Sequence, residues 1–216
     1  MNAFERLLAT MTKPLVAISF MGLIVCSFLY LDRPIAYYFH NLDLRTNLSI
    51  LNWVTRLGIG ALYFIVLLLL ALIFRYLRPN PQMEIRAWFL WLCVLIPSII
   101  CFVLKVLFGR ARPGLLFDEQ LYGFYGLKLH APFWSFPSGH TTTVMGLVFG
   151  LCVLFPRYLY AFIVAGVLIV SSRILLTHHY LSDVLIATYL ALLEVGVLNW
   201  WLRRKAWLQS AYGPVL

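Results

Sequence analysis

Trp134-Ser135-Phe136-Pro137-Ser138-Gly139-His140-Thr141-Thr142-Thr143 is a polar knot between two apolar segments. Aromatic residues lead into it, Pro137-Ser138-Gly139 makes a tight turn, and His140 stands where the next apolar run begins. Such a turn feeding a helix offers free backbone N–H groups and the positive end of a helix dipole, a cradle for phosphate. His140 adds a group able to carry a proton near neutral pH. The rest of the chain reads as a membrane frame that brings partners to this knot.

That frame is written in the composition. Of 216 residues, 62% are apolar and only 12% charged, with a mean hydropathy of +0.88. A soluble domain carries about 25% charged residues. The apolar residues lie in long runs, so the expectation is an integral membrane protein forming one domain over residues 1–216. The net charge of +9 is read as topology signals and contacts with anionic lipid, not as a nucleic-acid surface. Cys26, Cys93, Cys101 and Cys152 all fall in apolar runs without CxxC spacing, and are expected to be buried thiols.

The runs predict an all-α bundle of six spans: Pro14–Leu31, Gly58–Phe74, Ala87–Leu107, Thr141–Phe155, Tyr158–Thr177 and Leu181–Leu202. The first is read as a retained helix rather than a cleaved signal, because no small-x-small site follows it. Asp32–Leu57 is expected to be an interfacial loop with a short amphipathic helix. Arg75–Arg86 reads as a basic turn broken by two prolines. Six spans place both termini on one side. The Lys/Arg bias between the two sides is nearly nil, and favours termini inside only if the outer cations form a functional cluster. The Arg75–Arg86 loop and the Arg203-Arg204-Lys205 tail are the strongest inner signals. No repeat or low-complexity tract is present, which disfavours an inverted-repeat transporter.

On this topology the unusual polar groups gather at one face. Lys105 closes span three, with Arg110 and Arg112 after it. Ser138, Gly139 and His140 open span four, Arg173 lies about one turn inside span five, and His178, His179 and Asp183 begin span six. Ionisable groups at membrane depth are costly, so their clustering marks a site. A single carboxylate is too few for a two-metal centre, and the cations would repel a metal ion. They suit an anion with several oxygens. His179 and Asp183, four apart on a helix, share a face, so the carboxylate fixes the imidazole tautomer and leaves the other nitrogen free to attack. His140 is placed to protonate the departing oxygen and then activate water.

Lys105-x6-Arg112-Pro113, Pro137-Ser138-Gly139-His140 and Ser172-Arg173-x5-His179-x3-Asp183 resemble the three signature motifs of the type 2 phosphatidic acid phosphatase superfamily. The resemblance implies a six-helix membrane phosphatase working at the outer leaflet, without metal or cofactor, through a phosphohistidine. It implies His179 as nucleophile, Asp183 as its partner and His140 as acid and base. Lys105, Arg112, Ser138, Gly139 and Arg173 would bind the phosphate. Arg110 and His178 fall outside the motifs, and Arg110 is expected to snorkel or contact lipid. Glu194 is an intramembrane acid without an obvious partner. The aromatics Phe117, Tyr122, Phe124, Tyr125, Phe133 and Trp134 are expected to form an interface belt, a reading that overlaps with lining a lipid entrance.

Relatives of this kind act on phosphatidic acid, phosphatidylglycerol phosphate, undecaprenyl diphosphate or lipid A. The resemblance leans to a bacterial envelope lipid, lipid A or undecaprenyl diphosphate, in the inner membrane with the site facing the periplasm and the termini cytoplasmic. The implied partners are the phosphate-bearing lipid and the bilayer, with no nucleic acid and no obligate protein. The competing readings are phosphoryl transfer to another lipid, and a non-catalytic protein that binds or moves anionic lipid.

Overall fold

A computed structural model describes residues 1–204, so Lys205 of the expected basic tail lies outside the described residues. Ten α-helices are used below: α1 Ala3–Met11, α2 Pro14–Leu42, α3 Leu44–Asn47, α4 Ser49–Arg56, α5 Gly60–Leu77, α6 Pro81–Phe108, α7 Pro113–Glu119, α8 Gly139–Leu154, α9 Leu159–Leu175 and α10 Leu181–Arg204. Among the described residues there is no strand, only a single bridge between Arg110 and Phe124.

The chain is an all-helical membrane protein. Five helices, α2, α5, α6, α10 and the segment Pro156–Leu175 containing α9, are long and apolar enough to cross a bilayer. The remaining expected span, span four, is α8 and has 16 residues, about 24 Å of rise against a hydrocarbon core of about 30 Å. It is enclosed by protein instead of lipid: every residue from Thr141 to Gly146 is buried, as are Val148, Phe149, Cys152 and Val153. α8 packs on α6, α9 and α10, while α2 and α5 turn leucines and isoleucines such as Leu15, Ile18, Leu62 and Ile65 outward. Such a surface suits lipid and would be a liability in water.

Several boundaries differ from expectation for local reasons. The first span does not stop at Leu31. It continues to Leu42 through a π-helical turn at Ser27–Leu31, a wider turn of the kind found at functional sites. Asp32 is tolerated there because it faces the bundle and is buried. Only Leu44–Arg56 of the expected interfacial segment remains as short helices, α3 and α4. The basic turn also shrinks, since the Asn80 side chain accepts the Met83 N–H at 3.1 Å and Pro81 takes the first helical position. Both are helix-start signals, so α6 begins well before Ala87. The N-terminal head folds as α1, closed by a capping box between Asn2 and Glu5. Arg203 donates to Glu5 Oε1 at 2.6 Å, joining the head to the end of α10. Cys26 is exposed on the outer face, while the other three cysteines are buried and all four are free.

α6 and α8 approach each other closely at one point. Pro97 lacks the N–H that would bond the Cys93 carbonyl. Gly146 fits over that carbonyl so closely that a Cβ would stand 2.4 Å from its oxygen. Small residues allowing backbones to meet are the usual glue of membrane helices.

Candidate active site

The expected site residues sit at helix ends, except that His179 stands in the turn before α10 and not on that helix with Asp183, and all of them lie at one end of the bundle. α6 closes with Lys105 in its last turn and stops at Gly109, whose left-handed conformation (φ 52°) ends the helix. A Cβ at Gly109 would meet the Gly126 carbonyl at 1.9 Å, so this turn requires glycine. The reversal sends Arg110 inward and leads through Arg112 to Pro113, the first residue of α7. Ser138 is the N-cap of α8; its buried hydroxyl accepts from the Thr141 hydroxyl at 3.0 Å. The Ser138 N–H donates to the Asp183 carbonyl at 3.3 Å, which ties the turn to α10. Arg173 ends α9, and its carbonyl accepts from the N–H groups of both His178 (3.0 Å) and His179 (3.1 Å). That bond pattern sets the tight turn from α9 to α10.

The cations are held from several sides. Lys105 Nζ donates to the carbonyls of Trp134 at 2.8 Å and Pro137 at 2.6 Å, leaving one of its three donors. It thereby clamps the turn that precedes His140. Arg173 donates to Thr55 Oγ1 at 2.5 Å, and Arg45 donates to His178 Nε2 at 3.0 Å. α4 and α3 therefore lie over the site, and His178 is part of its wall. Buried Arg112 Nε and Arg173 Nε have no hydrogen-bond partner among the described residues. Unpartnered buried donors are costly, and an oxyanion between them would satisfy both. The half-buried His140 feels the charges of Arg173, Arg112 and Lys105.

His179 is buried, with Nδ1 3.6 Å from Asp183 Oδ2, just beyond hydrogen-bond range. The Nδ1 side faces the carboxylate, so Nε2 is the nitrogen left for chemistry. Burial holds the His179 imidazole well below its ordinary pKa; Lys105 and Arg112 act in the same direction and Asp183 opposes them. The ring is therefore neutral and nucleophilic at physiological pH. Burial together with Arg173, Arg45 and Arg112 likewise pushes His178 down to about 3. Among the described residues no three His, Cys, Asp or Glu side chains gather as a metal site.

Two separate cavities are lined in part by these residues. One of about 240 Å³ opens between α5 and α6 and is lined by Gly58, Phe64, Phe102, Lys105 and His140 among others. The second, of about 450 Å³, is lined by Arg112, Asp118, Pro132 and His178 among others. The first is mainly apolar and the second carries charge, a pairing that fits a molecule with a greasy part and an ionic part.

Three expectations need correction. Arg110 does not snorkel: it is fully buried, and donates to Asp183 Oδ1 at 2.5 Å and Asp32 Oδ2 at 2.7 Å. Burial works against its charge, but Asp183 and Asp32 outweigh burial and hold its pKa above the ordinary value. The site consequently contains a second carboxylate, Asp32, and Ser135 adds a donor to Asp183 Oδ2 at 2.6 Å. Finally, the 117–134 aromatics are not simply a belt. Tyr122 and Phe124 stand with Phe28 and Tyr180 around the Arg110 guanidinium. The signal that pointed to Asp32 was a charge inside an apolar run, which ending the span at Leu31 removed. Glu194 remains without a partner at Oε2 among the described residues, beside an apolar groove lined by Ile96, Ile100 and Trp201.

A family model described as PAP2 superfamily matches residues 86–207. A lipid A 1-phosphatase of Rhizobium etli is 38% identical over 111 residues, which are 50% of this chain and 48% of the relative. One from Rhizobium johnstonii is 35% identical over 111 residues, 50% of this chain and 46% of the relative. The chain thus spans about half the length of the curated relatives it matches. A transmembrane PAP2-type phosphatidylglycerolphosphate phosphatase crystal structure from Bacillus subtilis is similar over 93% of this chain and 92% of its own, at 16% identity and a TM-score of 0.46.

Proposed function

This chain belongs to the PAP2 superfamily, and from that premise we propose that it is a membrane lipid phosphatase acting through a phosphohistidine. The observation that carries the reading is the meeting at one end of the bundle of His140, the His179–Asp183 pair, and the cations Lys105, Arg112 and Arg173. Its two cavities would let acyl chains stay in the bilayer while the headgroup enters the charged pocket.

In this mechanism the His179 Nε2 lone pair attacks phosphorus. The bond from phosphorus to the lipid oxygen breaks, and that oxygen takes a proton from protonated His140. His140, now neutral, removes a proton from a water whose oxygen attacks the phosphohistidine. The P–N bond breaks, its electron pair returns to His179, and inorganic phosphate leaves with His140 protonated again. Lys105, Arg112, Arg173 and the α8 N-terminus at Ser138 and Gly139 would bind the equatorial oxygens and stabilise the transferring group. Asp183 would hold the Nδ1 proton of His179 and balance the charge that the ring gains.

Two relatives named lipid A 1-phosphatase favour lipid A as substrate, with undecaprenyl diphosphate next. The whole chain is read as one domain in a bacterial inner membrane, with the site at the periplasmic leaflet and the termini cytoplasmic. The test is phosphate release from detergent-solubilised lipid A, undecaprenyl diphosphate, phosphatidylglycerol phosphate and phosphatidic acid, with analysis of the lipid products. Release of inorganic phosphate from lipid A, preferred over the other three, is the expected result. Phosphate appearing on a second lipid instead would support the phosphotransferase reading, and no reaction with any lipid would overturn the enzyme reading.

A further inference from the structure

Among the described residues Arg110 is the largest fully buried side chain, and a polar cluster is built around it. Its guanidinium bridges two carboxylates from different helices: Nη2 to Asp32 on α2 and Nη1 to Asp183 on α10. Nη1 also donates to Ser182 Oγ at 2.7 Å. Ser182 in turn gives its N–H to Asp32 Oδ1 at 3.0 Å and its hydroxyl to Asp32 Oδ2. All four side chains are buried.

A plain structural strut would need one cation and one anion. Two carboxylates on one guanidinium leave the trio with a net negative charge, which is expensive at membrane depth unless something nearby uses it. Beyond Asp183 the cluster's neighbour is the buried His179. Arg110 occupies Asp183 Oδ1, while Oδ2 faces His179 Nδ1 at 3.6 Å. If Arg110 had only Asp183 as partner, its full charge would cancel the carboxylate that His179 relies on.

We propose that Asp32 and Arg110 are positioning residues for the phosphoryl transfer: Arg110 fixes Asp183 through one oxygen, and Asp32 shares the Arg110 charge so that Asp183 keeps a negative charge for His179. The proposal rests on the phosphatase reading. It also gives α2 a task in the reaction, although that helix contributes none of the motif residues.

The test compares wild type, Asp32→Asn and the double variant Asp32→Asn/Arg110→Gln on the lipid that wild type hydrolyses best. Asp32→Asn makes the trio neutral; the double variant restores one net negative charge. Asp32→Asn should lower kcat about tenfold or more, with KM and the inhibition constant for inorganic phosphate within about twofold, because Asp32 and Arg110 bond to each other, Ser182 and Asp183 and are not among the residues assigned to phosphate. The double variant should then turn over faster than Asp32→Asn, although it carries the additional lesion. A strut predicts the reverse, with losses that add. Should the double variant not fold, the split between kcat and phosphate inhibition in Asp32→Asn decides: kcat lost alone supports the pair, while both lost or neither lost overturns it. A double variant no faster than the single overturns it as well. Wild type that releases no phosphate from any lipid would defeat the phosphatase reading and the pair with it, whereas an active wild type with an unaffected Asp32→Asn defeats the pair alone.

Discussion

His178 and His179 sit side by side in the turn before α10, both held below the ordinary imidazole pKa chiefly by burial. The sign of their effect on stability follows. In the unfolded chain both take up a proton below about pH 6.5, while in the folded protein His178 resists until about pH 3. The unfolded state therefore binds more protons over that window, and stability falls as pH is lowered through it. His178→Gln can still accept from Arg45, so the slope of unfolding temperature between pH 7 and pH 4.5 in detergent should become shallower by about one proton's worth; an unchanged slope would contradict this. The motif residues, Arg173 and His179 among them, were legible because chemistry and spacing coincide in the chain. Arg110 was not, since spacing alone cannot say whether an arginine two residues before Arg112 points to lipid or inward. The Gly109 turn and a carboxylate 78 residues away in sequence settle that.

The helices place these residues, and their contacts carry a separate prediction. α6 and α8 meet where Pro97 frees the Cys93 carbonyl and Gly146 covers it. Gly146→Ala would force a Cβ into that oxygen and should destabilise the protein by about 1–3 kcal/mol, read as a lower unfolding temperature in detergent. Because Gly146 lies nearly two turns from His140, kcat at low temperature should stay within about threefold of wild type. An unfolding temperature equal to wild type would show that the helices part easily. Element boundaries were legible where the chain carries caps, as at Asn80-Pro81. A polar residue that interrupts an apolar run hides the boundary. Asp32 looked like the end of a span, but a buried cation partner lets the helix run on to Leu42. The short α8 was readable as an apolar run, yet its enclosure by α6, α9 and α10 depends on the whole bundle.

At the scale of the molecule, the bundle gathers helix ends into a charged site roofed by α3 and α4, with a mainly apolar cavity between α5 and α6 reaching Lys105 and His140. Its surplus of cations around the two histidines favours an anion over a metal ion. Turnover should accordingly survive EDTA and fall with vanadate, which mimics the five-coordinate phosphoryl group; turnover lost to EDTA and restored by Mg²⁺ would break this part of the account. The central claim is that His179 carries the phosphoryl group. The measurement that reaches it most directly is phosphate release by wild type and His179→Ala, side by side, on the best lipid of the panel, with an alkaline quench to capture protein-bound phosphate. The account predicts a loss of about four orders of magnitude in kcat for the variant and alkali-stable, acid-labile phosphate on wild type alone. Release by His179→Ala within tenfold of wild type, or equal labelling of both proteins, would contradict it.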